Sequence, residues 1–424
     1  MRNLLERLEK DVLVADGAMG TALYGNGLES CHEYNNISNP DSVEKIHRAY
    51  IEAGADIIQT NTYAAKKCQL KTYGYEDKFE EINIKAAEIA RKAAGENTIV
   101  FGTIGAIRGL RECELTLETI VDETLDQVKI LLSTDKIDAL LFETYYDQEE
   151  IRAVLTEARK LTNLPIITNI SLLEAGITQN GEKVTDALST LVNLGADVVG
   201  LNCHLGPYHM IKSLKQVPLF AQSYLSAYPN ASLLQLTQTT HGNEYRFRKN
   251  SAYFEQSAKL LVEEGVRLIG GCCGTTPEHI RAIKRGIKNL KPIRRKIITP
   301  LPAEEELIRV ANNNPTIVDK AKKQVTIIAE LDPPKHLNID KFIEGAKAID
   351  KKNIEAITLA DNSLASTRIC NLATAALLKE HITTPTLLHL TCRDHNLIGL
   401  QSRLMGFDLL GINNILAITG DPSK

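Results

Sequence analysis

Two adjacent cysteines, Cys272 and Cys273, lie within the stretch LIGGCCGTTPEHI at residues 268–280. Thiols can hold a metal such as zinc, but adjacent thiols also form a strained disulfide or fill a core. The pair is surrounded by three glycines, Gly270, Gly271 and Gly274. Because neighbouring side chains on a strand point to opposite faces, both thiols reach one metal only where the strand has ended. Glycine permits such a break because it tolerates dihedral angles that other residues avoid.

The elements that position these thiols repeat one pattern over the first 290 residues. An amphipathic helix ends at glycine and a short apolar run follows, as in ALSTLVNLGADVVGLNC at 187–203 and SAKLLVEEGVRLIGGCC at 257–273. Glycine suits the left-handed position after a helix, and a short apolar run is typical of a strand buried on both faces. Eight such runs are predicted strands, at 12–15, 56–60, 98–103, 138–142, 165–170, 197–202, 218–222 and 267–271.

Eight strands that alternate with helices predict an α/β fold, a closed (β/α)8 TIM barrel. The alternative is an open doubly wound sheet, which usually carries a G-x-G-x-x-G turn after its first strand. Here that turn reads ADGAMGT at 15–21, which does not match the fingerprint. The closed barrel is therefore the favoured fold for this part of the chain.

The C-terminal ends of the strands meet at one rim of a barrel, where barrel enzymes carry their working residues. Cys203 follows the sixth predicted strand, and Cys272 and Cys273 follow the eighth, with one strand between them. Three thiolates at one rim predict a zinc site whose fourth position is open. The alternatives are thiols that fill the core and a redox-active pair. His204 is a further candidate ligand, although Cys203 would already occupy that corner of the site.

Candidate substrate-binding groups follow two other strands at the same rim. Asp16 begins the Asp16–Gly20 turn after the first strand, and Glu143 follows the fourth. A carboxylate there either pairs within the barrel or binds a cationic substrate group, and the turn offers backbone N–H groups to an anion. An amino-acid thiol would fit, with its sulfur on zinc, its ammonium on Glu143 and its carboxylate on the turn. Such a thiolate can attack an activated methyl group.

Composition excludes several classes of partner. The net charge of −4, from 49 basic and 53 acidic residues, provides no basic field for nucleic acid or an anionic membrane. The first residues, MRNLLERLEKDVLV, lack the apolar core of a signal peptide, and no run of 18 apolar residues occurs. We therefore expect a cytoplasmic protein without nucleic-acid or membrane partners. The sequence leaves a homo-oligomer open.

The helix–strand pattern breaks after residue 290 and then restarts. We predict a domain at 1–290, a linker with one short helix at 291–324, and a second domain at 325–424. In the second domain the runs VTIIAEL, IEAITLA, TLLHLTC and NILAIT predict four strands, with three helices between them. Four strands are a partial (β/α) barrel with an open apolar edge, which natural proteins avoid. We therefore expect a truncated chain.

The first segment resembles a known family. The stretches ADGAMGT, AGADIIQTNTY, LLFETYYD, GLNCHLGP and GGCCGTTPEHI are similar to the homocysteine S-methyltransferase module over residues 1–290. Cobalamin-dependent methionine synthase, betaine–homocysteine methyltransferase and S-methylmethionine-dependent enzymes share this module. The resemblance implies homocysteine contacts near Asp16, Gly17, Ala18 and Glu143. It also implies a Zn²⁺ ion on three cysteines, Cys203, Cys272 and Cys273.

The second segment resembles the first half of methylenetetrahydrofolate reductase, a flavin-dependent barrel. The similar stretches are AELDPPK, ITLADNS, LLHLTCRD and NILAITGDPS. The resemblance implies Glu330 as the acid that protonates the folate nitrogen. It implies flavin or folate contacts at Thr358, His389 and Asp421, with FAD bound in a full-length chain. Taken together, the two segments resemble a bacterial fusion of the two enzymes, cut short within the second barrel.

These observations predict a zinc-dependent enzyme that transfers a methyl group to the thiol of homocysteine and produces methionine. Its partners would be homocysteine and a small methyl donor, with S-methylmethionine, S-adenosylmethionine and methyltetrahydrofolate all open. The alternatives are flavin-dependent methylenetetrahydrofolate reductase activity from the C-terminal part and a non-catalytic zinc-binding scaffold. Because half of the second barrel is absent, we do not expect reductase activity.

Overall fold

Helices and strands alternate along the chain, as the repeated helix–glycine–strand pattern predicts. The computed structural model of the protein describes residues 3–25, 31–109, 113–231, 235–239, 242–246, 250–299, 317–352, 354–393 and 395–421. The chain divides into two units, Met1–Glu304 and Glu305–Lys424. The domain limits predicted at residues 290 and 324 stay predictions, and residues 300–316 of the predicted linker lie outside the described residues.

The first unit contains the larger set of elements. Its strands are β1 (Leu13–Val14), β2 (Ile57–Gln59), β3 (Ile99–Gly105), β4 (Ala139–Tyr145), β5 (Ile166–Ile170), β6 (Val198–Asn202), β7 (Tyr224–Tyr228), β8 (Gln235–Thr239), β9 (Gly242–Arg246) and β10 (Val266–Ile269). Its helices are α1 (Leu4–Lys10), α2 (Met19–Gly25), α3 (Asn35–Ser38), α4 (Pro40–Glu52), α5 (Lys67–Leu70), α6 (Phe79–Ala94), α7 (Leu117–Ser133), α8 (Gln148–Leu161), α9 (Val184–Asn193), α10 (Pro207–Leu214), α11 (Ser251–Glu263) and α12 (Pro277–Gly286). Short 3₁₀ turns at Lys71–Tyr73 and Glu76–Lys78 precede α6.

Eight of the described strands form a closed parallel barrel. Their order is β1-β10-β7-β6-β5-β4-β3-β2, and a parallel bridge between Ala15 and Ile57 joins the two ends. The prediction of a (β/α)8 barrel is confirmed, and the open doubly wound sheet is wrong. None of the described helices is long and apolar enough to cross a bilayer.

The barrel is stabilised by two layers of buried side chains. Inward-facing residues of the strands, such as Phe101, Leu141 and Leu268, form one cluster along the barrel axis. Outward-facing residues such as Ile104 and Leu140 pack against the surrounding helices in a second, larger cluster. This alternation along each strand sets which strand-end side chains point into the barrel mouth.

The predicted seventh strand, 218–222, is wrong. This apolar run has no strand structure, although Leu219 and Phe220 pack against the outer core. The strand is β7, six residues later, where Ser226 points inward and donates a hydrogen bond to Asn169 Oδ1 at 2.5 Å. A search for continuous apolar runs misses a strand whose inward positions are polar. The antiparallel hairpin of β8 and β9, which follows β7, was not predicted at all.

The second unit is a smaller parallel sheet. Its strands are β11 (Ile328–Glu330), β12 (Ala356–Leu359), β13 (Thr386–Thr391) and β14 (Asn414–Ile418), paired in that order. Its helices are α13 (Ile317–Ala321), α14 (Asp340–Asp350), α15 (Asn371–Leu378) and α16 (Leu397–Leu409), with a 3₁₀ turn at Ser363–Ala365. The predicted partial barrel of four strands is confirmed for the described residues.

Candidate metal centre

The first thiol lies where the sixth barrel strand turns sharply. Cys203 follows β6 directly, and Cys203 and His204 both adopt left-handed conformations, with φ of 57° and 50°. A side chain with a Cβ avoids this region, and such strain persists where the surrounding structure requires it. The Cys203 N–H donates to the Tyr228 carbonyl at 3.1 Å, which ties the turn to the end of β7. The turn therefore directs the Cys203 thiol towards the neighbouring strands.

The adjacent thiols lie beyond the end of β10, as predicted. Cys272 N–H donates to the Pro229 carbonyl at 3.0 Å, and the Cys273 carbonyl accepts from Ala231 N–H at 3.0 Å. Both thiols are thus held in a segment that is no longer a strand. The segment is tied instead to the loop that follows β7.

The role predicted for the three glycines is correct at only one of them. Gly274 has a left-handed φ of 77°, whereas Gly270 and Gly271 do not have positive φ angles. A Cβ on Gly270 would lie 3.0 Å from the Tyr228 ring, and one on Gly271 would fall on the Thr275 side chain. These two positions require glycine because of close packing rather than because of their dihedral angles.

The three thiols form a cluster suited to zinc. Their Sγ atoms all lie within 4.8 Å of one another, and Cys203 Sγ is 3.7 Å from Cys273 Sγ. Two thiolates on a tetrahedral zinc, each about 2.3 Å from the metal, stand roughly 3.8 Å apart. The residues present therefore fit the metal. Cys272 is partly buried while Cys273 is exposed, so the cluster lies at the mouth of the barrel.

The cluster favours the thiolate form of one cysteine, Cys203. Hydrogen bonds from Cys272 and Cys273 lower the pKa of Cys203 to about 3, against the opposing effect of burial. The pKa of Cys272 is raised well above its ordinary value, first because its thiol hydrogen-bonds Cys203. The same contact raises the pKa of Cys273 to about 12. One thiolate, on Cys203, is thus stabilised by two thiol donors.

His204, the further candidate that was not favoured as a ligand, lies outside this cluster. Its ring makes an edge contact with Tyr146, with the ring centroids 6.3 Å apart. Within the described residues, the only group of three or more metal-ligating side chains is Cys203, Cys272 and Cys273. The remaining cysteines lie elsewhere, at Cys31, Cys68, Cys113, Cys370 and Cys392.

Glu143 lies on the last part of β4 and is oriented by Asn202. Asn202 Nδ2 donates to Glu143 Oε2 at 3.1 Å and to Thr144 Oγ1 at 2.9 Å. The backbone N–H of Thr144 donates to Asn202 Oδ1 at 2.8 Å. Thr144 has a left-handed φ of 64°. Burial, then the charges of Cys203 and Asp16, raises the pKa of Glu143 to about 8.

Asp16 lies deeper, at the end of the first strand. Its two carboxylate oxygens accept from Gln59, one from the backbone N–H at 2.9 Å and one from Nε2 at 2.8 Å. The side chain is buried, and this burial raises its pKa to about 7 although the bonds from Gln59 oppose the shift. The next residues, Gly17 and Ala18, form the predicted turn, and Ala18 N–H donates to Thr275 Oγ1 at 3.1 Å.

One cavity joins the three cysteines and the predicted substrate-binding residues of the barrel. It has a volume of about 330 Å³, enough for an amino acid and part of a second small molecule. Its lining includes the predicted site residues, namely Asp16, Gly17, Ala18, Glu143, Cys203, Cys272 and Cys273. Glu33 adds a third carboxylate, and none of the described lining residues is Lys or Arg. The cavity is therefore lined by carboxyl groups that have no basic partner among the described lining residues, and a bound cationic group would favour their ionised form.

The residues predicted in the second unit lie on three neighbouring strands and after the fourth. Glu330 is exposed at the end of β11 and pairs in register with Thr358, which is buried on β12. His389 is partly buried on β13, two residues beyond Leu387, the register partner of Thr358. Asp421 is exposed and accepts from Leu364 N–H at 2.7 Å. Their roles in binding flavin or folate stay predictions.

Sequence reasoning missed the residues that hold the site in shape. Asn202 was assigned no role, although it immediately precedes Cys203 in GLNC and strand alternation turns its side chain into the barrel. Thr275 lies in the GTTPEHI stretch but carries no chemistry of its own. Tyr50 lies on α4, far along the chain, and its contact with the Ala18 carbonyl at 2.9 Å leaves no local signal.

Comparisons with known proteins agree with this architecture. The family model of homocysteine S-methyltransferase matches residues 13–287, and that of methylenetetrahydrofolate reductase matches residues 316–424. Methionine synthase of Mycobacterium tuberculosis is 33% identical over 314 residues, which cover 70% of this chain and 26% of that protein. Methionine synthase of Mycobacterium leprae is 34% identical over 304 residues, with 67% and 25% covered. The chain thus spans about a quarter of the length of these relatives.

A solved structure resembles the first unit. The metallated form of the homocysteine methyltransferase MmuM from Escherichia coli superposes with a TM-score of 0.55 and 25% sequence identity. The match covers 67% of this chain and 98% of that one. The family match covers more than half of the chain and contains the barrel, the thiol cluster and the acidic cavity. The chain belongs to the homocysteine S-methyltransferase family, and its residues 316–424 match the methylenetetrahydrofolate reductase family.

Proposed function

We propose that this chain transfers a methyl group to the sulfur of homocysteine, with a zinc ion held by Cys203, Cys272 and Cys273. One observation carries the proposal. Three thiols within 4.8 Å of one another line the same cavity as Asp16 and Glu143. Thiol ligands and carboxylates in one cavity match the two ends of an amino-acid thiol. Family membership supports the choice of homocysteine.

In this proposal the cysteines supply a three-thiolate set with one position left for the substrate sulfur. The low pKa of Cys203 favours its ligand form, and loss of the remaining thiol protons accompanies metal binding. Zinc, when bound, acts as a Lewis acid that keeps a sulfur ligand as the thiolate at neutral pH. The thiolate is the nucleophilic form of the substrate.

The carboxylates orient the amino acid. Glu143, held by Asn202, accepts hydrogen bonds from the substrate ammonium group. Asp16 adds a second carboxylate to the same cavity. An adjacent cation favours the ionised carboxylate, so binding shifts both raised pKa values down. Gly17 and Ala18 shape the turn beside the α-carboxylate. Because the Ala18 N–H is donated to Thr275, Ala18 contributes by holding the turn.

The methyl group then moves by direct displacement. The substrate sulfur forms a bond to the methyl carbon while the bond from that carbon to the donor breaks, and the donor keeps the electron pair. The protein's contribution is to hold the sulfur and the amino-acid backbone in a fixed relation, which lowers the entropic barrier to attack. The donor is a small methyl-bearing molecule that enters from the open mouth of the barrel.

The test uses the whole chain with and without added zinc. We expect mass spectrometry to detect methionine from homocysteine with S-methylmethionine, S-adenosylmethionine or methyltetrahydrofolate, and a metal chelator to abolish the product. X-ray absorption at the zinc edge should show one more sulfur ligand after homocysteine is added. An unchanged ligand shell together with no methionine from any donor would favour a non-catalytic zinc scaffold instead.

A further inference from the structure

Thr275 lies between the two parts of the proposed site. Its side chain is buried and fills the space between the Gly17 backbone on one side and the Gly271 backbone on the other. A Cβ on Gly17 would lie 2.6 Å from Thr275 Oγ1, and one on Gly271 would collide with the same side chain. The hydroxyl is therefore packed directly against both the Asp16–Ala18 turn and the cysteine segment.

Hydrogen bonds join the two parts through this one side chain. Thr275 Oγ1 donates to the Cys272 carbonyl at 2.7 Å and accepts from Ala18 N–H at 3.1 Å. A second bond runs directly between the parts, from Gly271 N–H to the Asp16 carbonyl at 2.9 Å. The backbone carbonyl of a candidate metal ligand and the backbone of the amino-acid turn thus share one hydroxyl group.

Tyr50 supports the same junction from helix α4. Its hydroxyl lies 2.9 Å from the Ala18 carbonyl and 3.1 Å from the Thr275 carbonyl, and the ring is fully buried. The side chain of Tyr50 also lies 3.0 Å from the place of a Cβ on Gly17. We call Thr275 and Tyr50 the clasp. Neither residue is needed to explain how the thiols bind a metal or how the carboxylates bind an ammonium group.

We propose that Thr275 and Tyr50 are positioning residues. Together, as the clasp, they couple metal binding at the cysteines to amino-acid binding at the Asp16–Ala18 turn. This inference rests on the proposed function, which supplies its two ligands, the zinc ion and the amino acid. When a metal orders the cysteine segment, Thr275 transmits that ordering to the Asp16–Ala18 turn. The coupling does not require the amino acid to touch the metal.

The physical basis is the loss of motion on metal binding. Cys273 is exposed, and its thiol makes a long sulfur–sulfur contact of 3.7 Å with the Cys203 thiol. A metal that joins Cys272 and Cys273 to Cys203 restricts this segment, and the bond from Thr275 Oγ1 to the Cys272 carbonyl moves with it. The turn that receives the amino acid is then ordered in advance. A ligand that binds to an ordered site loses less conformational entropy and so binds more tightly.

The test requires an amino acid that lacks the sulfur expected to bind the metal. L-2-aminobutyrate is homocysteine without its sulfur, so in the proposed orientation none of its atoms reaches the metal, and an unchanged X-ray absorption spectrum at the zinc edge checks that its amino and carboxylate groups do not bind zinc directly. Its dissociation constant is measured by NMR titration of the full chain, metal-free and zinc-loaded. We expect zinc to tighten binding in the wild type by about fivefold or more, the lower range of measured couplings between sites.

The variants separate the clasp from the two sites. Thr275→Val keeps the shape and removes both hydrogen bonds, so zinc should change the affinity for L-2-aminobutyrate by less than about twofold. Thr275→Ser keeps the hydroxyl and should retain the coupling. Tyr50→Phe removes a hydroxyl that touches no cysteine and should reduce the coupling while zinc content stays at the wild-type value.

The outcomes distinguish the clasp from the proposed function. If L-2-aminobutyrate binds wild type equally well with and without zinc, the coupling is overturned and the proposed amino-acid site survives. Full coupling in Thr275→Val likewise overturns the role of Thr275. If the ligand binds to neither form, the proposed amino-acid site fails, and the clasp fails with it.

Discussion

Eight of the described strands between Leu13 and Ile269 close into a barrel, whereas the four between Ile328 and Ile418 form an open row. Both sheets are parallel, and both carry polar residues near the C-terminal ends of their strands. In the barrel, β6 and β10 both pair with β7 and end at the same mouth, so Cys203 and Cys273 meet although 70 positions separate them. In the open sheet a strand-end residue meets only its neighbours, as Glu330 meets Thr358.

The difference shows how closure creates a chemical site. Barrel side chains that point inward are buried among other polar groups, and burial raises the pKa of both Asp16 and Glu143. Such shifts are typical of binding and catalytic sites. The open sheet instead leaves apolar side chains of its edge strands exposed, with Ile328 at 47% and Leu416 at 45%.

The largest effect is expected from removing one thiol of the barrel. Cys203→Ser should reduce zinc affinity by more than about a hundredfold, because loss of a supporting contact alone costs roughly ten- to a hundredfold. Zinc per chain, measured by elemental analysis after dialysis, should fall from about one to near zero. Cys392→Ser removes an exposed thiol of the open sheet and is the matched control. Full zinc retention in Cys203→Ser would refute the assignment of this ligand.

A smaller effect is expected at the carboxylate that faces the barrel mouth. Glu143→Gln should raise the KM for homocysteine by about ten- to a hundredfold, as expected when a charged hydrogen bond to the ammonium is lost. The same change should stabilise the metal-free protein at pH 8 to 9, since a buried carboxylate must ionise there. Opposite changes in substrate binding and in stability are the signature of a binding residue.

The pH dependence of Glu143→Gln follows from the sign of the shift. Burial raises the folded pKa of Glu143 to about 8, above its value in the unfolded chain. The wild type should therefore lose stability relative to the variant as the pH rises from about 4.3 to about 8. Thermal unfolding of both proteins across this range measures the difference. Glu344→Gln, at an exposed position of the second unit, should show neither effect.

A methyl group added at a glycine should have opposite effects on the stability of the two units. A Cβ on Gly200 would fall on the Ser226 carbonyl inside the barrel, so Gly200→Ala should destabilise the barrel by about 1–3 kcal/mol. Gly345 lies within α14, and its Cβ would meet only Leu331 at 3.6 Å, an ordinary contact. Gly345→Ala should stabilise the second unit by up to about 1 kcal/mol. Hydrogen exchange in β7 and α14 reports the two units separately, and equal effects would contradict the contrast.

The sequence predicts the parts of the barrel that depend on local patterns. Helix, glycine and apolar run recur locally, so most strands were located, and the closed barrel follows from their number. The thiol cluster was predicted because strand ends converge in such a fold. The position of β7 could not be read locally, because Ser226 is satisfied by Asn169 across Gly200.

The same limit applies to the supports of the site. Thr275 acts through contacts with Ala18 and Gly17, which lie more than 250 positions away in the chain. No local pattern encodes such a contact, and a threonine in a loop resembles any other. Likewise Gly271 was interpreted as a residue of unusual dihedral angles, while its actual constraint is the space taken by Thr275. Residue types thus indicate which chemistry is available, and only the closed fold shows what holds it.

The smallest effect concerns an aspartate at the end of helix α14 in the second unit, whose pKa shifts in the opposite direction. Asp350 Oδ1 accepts bonds from Thr384 Oγ1 at 2.6 Å and from Thr384 N–H at 2.7 Å, which lower its pKa. A lowered folded pKa adds stability that is present above the unfolded pKa, about 3.9, and is lost as the pH falls through the folded pKa. Wild type and Asp350→Asn should therefore differ in the unfolding temperature of the second unit at pH 6 and converge towards pH 3. Asp408→Asn, at an exposed position on α16, is the control and should leave that temperature unchanged. Acid favours the neutral carboxyls of Asp16 and Glu143 but removes the charge that strengthens the bonds to Asp350, so the same fall in pH should change these contributions to stability in opposite directions. A difference between wild type and Asp350→Asn that persists unchanged at pH 3 would show that the hydrogen bonds do not depend on the charge of Asp350.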